Sequence, residues 1–315
     1  MSSNNHKSPG YYKSLLLETI KKDNLTTFIE TLKEEHNNYE RKLSEELNRN
    51  GNTILHEAVY WNSSNILIFL LKNINKCVIN KKNIIDNNIL NLATLKQLDW
   101  VVDNIITTNY SNEICSSYNS HGDSPFLSAI RTGSQTLVNL YLINVHTSQH
   151  IKDKNQNNYY NSLHIAVTTS NKNFKIIKLL IENYKENYQN DIKSYLIGIP
   201  QNPNVSTTSI YSTFTPSTTS KISILEDLNK QPKNSVNLQI QTYIIRELYT
   251  SCLGNEVELK DILTDYPEYA AYEKCNNDNF NISMSFDENV KDTYRNTKQN
   301  SMKILPKTLK HSFSK

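Results

Sequence analysis

A His-Glu pair, His56-Glu57, lies inside the stretch GNTILHEAVYW at 51–61. Zinc proteases carry two His one helical turn apart, with a Glu between them, so that both imidazoles reach one ion and the carboxylate serves as base. The second His would stand at position 60, and that residue is Tyr60. The four cysteines, Cys77, Cys115, Cys252 and Cys275, are scattered with no C-x-x-C pair, so neither a metal ligand set nor a redox pair is spelled out. The sequence has no Gly-rich phosphate loop, no G-x-S-x-G elbow and no Cys in a His-paired, electropositive context. The expectation is a chain without catalytic residues, without metal or cofactor, and without a small-molecule substrate.

Composition narrows the class further. Only 37% of the 315 residues are hydrophobic, below the roughly 45–50% of globular chains. A thin core, or a folded part joined to unfolded segments, fits that figure better than one thick core. The net charge of +3 is uneven. From 289 onward seven basic residues face one acid, Asp292, which gives +6 and leaves −3 for the rest. Affinity for nucleic acid or anionic lipid is therefore expected of the tail alone. The start, MSSNNHKSPG, has no apolar stretch, and no run approaches the ~18 apolar residues of a membrane span. A monomer in a reducing compartment is expected, cytoplasmic or nuclear, with secretion into a host by a non-classical route as the further option.

The elements around His56 repeat. TILHEA at 53–58 is followed by NILNLA at 88–93, SPFLSA at 124–129 and NSLHIA at 161–166. A small hydrogen-bonding residue opens each unit: Thr53, Asn88, Ser124 and Asn161. A large apolar residue sits three before the end (Leu55, Leu90, Phe126, Leu163), and Ala58, Ala93, Ala129 and Ala166 close the units at spacings of 35, 36 and 37. After each alanine comes a short polar break and then a helix-like apolar stripe, such as Ile66, Phe69 and Leu70. Each unit reads as turn, short helix, break, second helix.

These residues resemble the ankyrin repeat, whose pattern is D-x-x-G-x-T-P-L-H-x-A followed by a Gly break and V-x-x-L-L. The best matches are NRNGNTILHEA at 48–58 and NSHGDSPFLSA at 119–129, the latter with Gly133 at the break. The resemblance implies an all-α ankyrin-repeat solenoid of helix-turn-helix units with hairpin-like turns. It also implies that His56 and His164 hydrogen-bond the backbone of neighbouring turns. Thr53 and Ser124 read as N-caps, and Pro125 fits the first helical position, where its missing N–H leaves nothing unpaired. Asp86 stands where Gly51 and Gly122 stand, since Asp tolerates the left-handed conformation better than most residues. Tyr159 at the same position in the fourth unit predicts a shifted or distorted turn.

The organisation expected is an unfolded N-terminus at 1–10, capping helices at 11–40 and four irregular repeats at 41–200. A Ser/Thr/Asn-rich unfolded linker follows at 201–237, then a C-terminal helical pair at 238–274 and a flexible basic tail at 275–315. The pair carries one apolar stripe (Ile240, Tyr243, Ile244, Leu248) and a second (Leu259, Ile262, Leu263), and is expected to cap the array or form a separate module. Through the resemblance, function is expected to be protein binding on turn tips and first helices. Arg49, Asn50 and Asn52 mark the first tip, and His121 and Asp123 the third. Tyr60 and Trp61, two and three residues after Ala58, match Arg131 and Thr132. Two alternatives stand beside this one. The C-terminal helices recruit a second protein such as ubiquitin-ligase machinery, as in the pathogen- and virus-encoded ankyrin proteins that this Asn-rich sequence also resembles. Or the basic tail binds nucleic acid or lipid.

Overall fold

The computed structural model describes residues 9–34, 39–73, 76–107, 111–144, 148–197, 224, 227–228, 230–231 and 235–251. Among these the protein is all-helical, with isolated β-bridges at Glu46–Thr53 and Lys154–Asn161 and no extended strand. The helices are α1 (Pro9–Lys21), α2 (Leu25–Glu34), α3 (Tyr39–Ser44), α4 (Ile54–Trp61), α5 (Ser64–Asn73), α6 (Lys76–Ile79), α7 (Ile89–Leu95) and α8 (Asp99–Ile106). They continue with α9 (Ser111–Cys115), α10 (Pro125–Thr132), α11 (Gln135–Ile143), α12 (Ser162–Thr168), α13 (Phe174–Asn187), α14 (Ile192–Ile197) and α15 (Ser235–Ser251).

The first helices of the four units are α4, α7, α10 and α12, and they pack in series, with α1 against α4. Each is sandwiched between neighbours, which is why its sequence is apolar nearly all round rather than striped. Residues 54–59, 89–94, 125–130 and 162–167 are all buried, and exposure begins only at the helix ends. The expected core positions Leu55, Ala58, Leu90, Ala93, Ala129 and Leu163 are at 0% exposure, with Ala166 at 2%. The second helices, α5, α8, α11 and α13, are buried on one face. In α5 that face is Ile66, Leu67 and Leu70, while Phe69 is half-buried against the edge of Phe28 in α2.

Asparagine builds the tips. Asn48 Oδ1 accepts the amides of Asn50 and Asn52 at 3.0 and 3.2 Å; Asn83 Oδ1 accepts those of Ile85 and Asn87 at 3.2 and 3.1 Å; Asn119 Oδ1 accepts those of His121 and Asp123 at 3.0 and 3.1 Å. A side-chain carbonyl thus replaces a backbone partner for two turn amides that would otherwise be orphaned. Within each of these turns one residue is left-handed: Gly51 (φ +67°), Asp86 (φ +56°) and Gly122 (φ +75°). The fourth tip keeps this plan with one added residue. Asn155 accepts from Asn157 and Asn158, its N–H reaches Tyr160 O rather than a residue four on, and Tyr159 takes φ +60°. Tips also bond to one another, Ile84 N to Asn50 O, Ser120 N to Ile85 O and Gln156 N to Gly122 O.

The breaks between helices join units on the other side. Asp23, Asn62, Gln97 and Gly133 are left-handed there. Asp23 reaches across and caps α5, its carboxylate accepting the amides of Asn65 and Ile66 at 3.0 and 3.1 Å. A carboxylate at a helix N-terminus satisfies free amides and meets the positive end of the helix dipole.

Several expected boundaries shift. The first capping helix starts at Pro9, inside the stretch expected to be unfolded, and the connection after Lys33 contains α3, with Leu43 and Leu47 buried. Ile224 and Leu228 fall within the expected linker yet are buried. The helix after them begins at Ser235 rather than 238, and Ile240, Ile244 and Leu248 face inward on it. It lies against α13 and α14: Tyr243 meets Phe174 edge-on, Glu247 pairs with Lys185 at 2.6 Å, and Lys172 in the fourth break reaches Gln231 and Asn237. The apolar end of the fourth unit is thereby covered. Leu259, Ile262, Leu263 and the basic tail lie outside the described residues.

Two measurements probe this construction. A Cβ on Gly122 would lie 2.8 Å from Asn157 N and 2.9 Å from Asn157 Cγ, at a positive φ. Gly122→Ala is expected to destabilise the protein by about 1–3 kcal/mol, whereas Tyr159→Gly relieves a strained φ and stabilises it by about 1 kcal/mol. Urea unfolding of both variants gives the two signs. The second concerns pH. Burial pushes the His164 imidazole down to about 4 from 6.5, with Asp227 opposing part of that shift. The unfolded chain binds the proton first as pH falls, so stability is complete above about pH 6.5 and declines toward pH 4, by roughly 3 kcal/mol from this group. His164→Gln removes that decline. The stability gap between wild type and variant should shrink on going from about pH 7 to about pH 4; a constant gap would contradict it.

Candidate functional site

His56 of the His-Glu pair is a joint between units. His56 is buried, with Nε2 3.0 Å from Asn87 O at the base of the next tip and Nδ1 2.9 Å from Thr53 Oγ1. A carbonyl only accepts, so Nε2 carries the proton and Nδ1 accepts the Thr53 hydroxyl hydrogen. Both ring nitrogens are committed, which leaves no lone pair for a metal, and burial keeps the ring's pKa below its ordinary value. Asn91 holds the same place in the second unit, its amide directed at Asp123 O at 3.5 Å. His164 takes the other tautomer. Its Nδ1 donates to Asn161 Oδ1 at 3.1 Å, Asn161 Nδ2 donates to Tyr195 O, and the ring stacks on Tyr160. Among the described residues no group of His, Cys, Asp and Glu is placed to hold a metal ion. Cys115 is buried and its thiol is pushed up to about 12, so it is protonated at neutral pH.

The residues expected on the partner surface divide in two. Arg49, Asn50, His121, Tyr60 and Trp61 are exposed. Asn52 and Asp123 are not: at 6% and 2% exposure they close the tips from inside and correct the expectation that they face a partner. Asn52 Nδ2 donates to Glu57 Oε1 at 2.7 Å. Asp123 is gripped by two guanidinium nitrogens of Arg131 and by Asn155 Nδ2 at 2.6 Å. The last residue of a tip turns back onto its own helix, so a polar type there serves the joint rather than the surface. Arg131 is half-buried in the same bond.

Trp61 is held in an exposed position. Glu57 is buried, and its Oε1 accepts Asn48 and Asn52 while its Oε2 accepts the Trp61 indole N–H at 3.1 Å. The indole therefore stays 44% exposed with its polar atom satisfied, uncovered by the described residues of the connection between α2 and α4. Tyr60, 46% exposed, meets it edge to face at 5.3 Å. Lys21 Nζ stands 5.0 Å from the Trp61 ring and Lys96 Nζ 4.0 Å from the Tyr60 ring, so the ends of three adjacent first helices meet here. Leu95, beside Lys96, is 43% exposed.

Five residues of this surface, Lys21, Ile84, Ile85, Leu95 and Lys96, are not among those expected from the sequence. Leu95 and Lys96 follow Ala93 by two and three, the register that picks out Tyr60 and Trp61 after Ala58, and that register was the available signal. Ile84 and Ile85, 66% and 46% exposed, form the second tip and follow from the tip register of Arg49 and Asn50.

Comparison with known proteins adds a match to one stretch of the chain. Residues 50–84, running from the first tip through α4, α5 and α6 to the second tip, match the ankyrin repeat. No curated protein matches the chain. Two solved structures are similar to it. The ankyrin repeat protein EF0377 is 22% identical with a TM-score of 0.43, covering 54% of this chain and 81% of its own. The ankyrin repeat domain of Bcl-3, described as a unique member of the IkappaB protein family, is 15% identical with a TM-score of 0.43, covering 54% of this chain and 71% of its own. Residues 50–84 thus match the ankyrin repeat, and the same tip, helix, break and helix recurs on either side of them.

Proposed function

We propose that the protein is a non-catalytic binding scaffold whose partner surface is the exposed end of the first-helix row, centred on Tyr60 and Trp61, together with the tips at Arg49, Ile84, Ile85 and His121. Ankyrin repeats mediate protein–protein interaction in general; the finer assignment rests on one observation. Two large aromatics lie 46% and 44% exposed, edge to face, with the indole nitrogen already bonded to a buried carboxylate. A fold that left these rings in water for stability alone would gain nothing from their area. A partner that covered them would bury much apolar surface while freezing few rotatable bonds, which is the chemistry of an interface hot spot. Their neighbours Leu95 and Lys96 extend the same surface into the second unit.

The test is a comparison of wild type with Tyr60→Ala/Trp61→Ala, both as the full chain, with partners captured from lysate and bound affinities measured afterwards. The double variant should keep its helical circular dichroism and lose affinity by about 30-fold or more, the scale of a hot-spot pair. A folded variant that retains every partner at unchanged affinity would move the function elsewhere on the chain.

A further inference from the structure

The aromatic pair is bracketed by two ammonium groups contributed by the units on either side, Lys21 at the end of α1 and Lys96 in the break after α7. Both side chains are exposed, and neither has a carboxylate at ion-pair distance among the described residues. The acids of α1, of the break after it and of α4 are committed elsewhere, and α7 has none. Glu18 holds Lys22, Asp23 caps α5, Glu57 points inward to Asn48, Asn52 and Trp61, and Asp99 turns one oxygen into the interior. In the third unit Asp123 occupies Arg131. What remains at the surface is a short apolar strip, Trp61, Tyr60 and Leu95, with a positive charge at each side and no negative charge of its own.

Resting on the reading proposed above, we infer that this surface takes an acidic segment of a partner protein carrying an aliphatic or aromatic side chain between its carboxylates. The carboxylates meet Lys21 and Lys96, and the apolar side chain lies on Trp61, Tyr60 and Leu95. In the free protein each ammonium rests over a ring face, a contact that is weak at an exposed site. A charge-assisted hydrogen bond to a carboxylate outweighs it. Binding therefore draws the lysines off the rings and uncovers the faces that the apolar side chain needs. Single-stranded nucleic acid fits less well. Successive bases stack on ring faces, whereas these rings stand at 78° to each other with lysines over them. Positive charge is also local here, since residues 1–288 carry a net −3 (+3 for the chain less +6 for 289–315).

The experiment is selection from a random-peptide display library on the immobilised full chain, in parallel for wild type, Lys21→Gln/Lys96→Gln, Lys21→Glu/Lys96→Glu and Tyr60→Ala/Trp61→Ala. The selected peptides are then titrated at low and high salt, and a dT20 oligonucleotide is titrated beside them. Circular dichroism confirms folding, which exposed lysines at two helix ends leave intact. Wild type should enrich peptides with Asp or Glu flanking an apolar residue, whose affinity falls about tenfold or more in the Gln variant and with added salt. The Glu variant should enrich basic peptides instead. Peptides without acids, unaffected by Lys→Gln but lost with Tyr60→Ala/Trp61→Ala, would overturn the acidic preference and leave the surface standing. Peptides indifferent to all the substitutions would overturn both. Tighter binding of dT20 than of any peptide, lost on Lys→Gln, would also overturn the inference.

Discussion

The array depends on a single hydrogen-bonded device, the asparagine carboxamide at the start of each tip. Asn48, Asn83, Asn119 and Asn155 each place one carbonyl oxygen on two amides of the following turn. The NH2 groups of Asn48, Asn83 and Asn155 then tie their tips down. Asn48 bonds Glu57 in its own helix, Asn83 bonds Asn52 in the unit before, and Asn155 bonds His121 O and Asp123 in the unit before. A free tip of five residues would leave its amides to water and its register undefined. With the carboxamide in place each tip is fixed in shape and joined to its neighbour, which makes stacking of units cooperative.

The surface follows from that constraint. Because tips and breaks both bind neighbour to neighbour, the first helices between them are covered along their length, and water reaches them only at their ends. The ends of α4 and α7 are where Tyr60, Trp61, Leu95 and Lys96 emerge. The joint beneath them varies from unit to unit. In the first unit a buried Glu57 gathers Asn48, Asn52 and Trp61, and in the third Asp123 takes Arg131 and Asn155. Both satisfy a buried carboxylate with several donors, which is the condition for placing one there. The first arrangement leaves an aromatic ring at the surface, and the third leaves a half-buried guanidinium.

Much of this was legible in the residue order. The alanine spacing located all four first helices, and the Asp86 and Gly122 positions matched left-handed turns because few residue types accept that conformation. Tyr159 departed from the pattern, and the fourth tip answered with an added residue. Burial of Asn52 and Asp123 was not legible, because a polar residue at a tip looks the same whether it faces water or turns back onto its helix. Left-handed Gln97 gave no sign either, since Gln has no preference for that conformation and the backbone bonds that close α7, Gln97 N to Thr94 O and Leu98 N to Ala93 O, accompany it. Near 224–237 composition misled: a stretch rich in Ser, Thr and Asn still contained Ile224 and Leu228, and both are buried.

The most direct measurement of the central claim is amide hydrogen exchange of Asn119→Ala against wild type. If the carboxamide fixes the tip and the tip fixes the stack, protection should fall at His121 and Asp123, which lose their acceptor, and at Gln156, whose amide bonds Gly122 O in the same tip. Protection in α4 and α5, two units away, should be little changed. Unaltered exchange at Gln156 together with fast exchange at His121 would show that the tips stack without their asparagines, and would contradict the account.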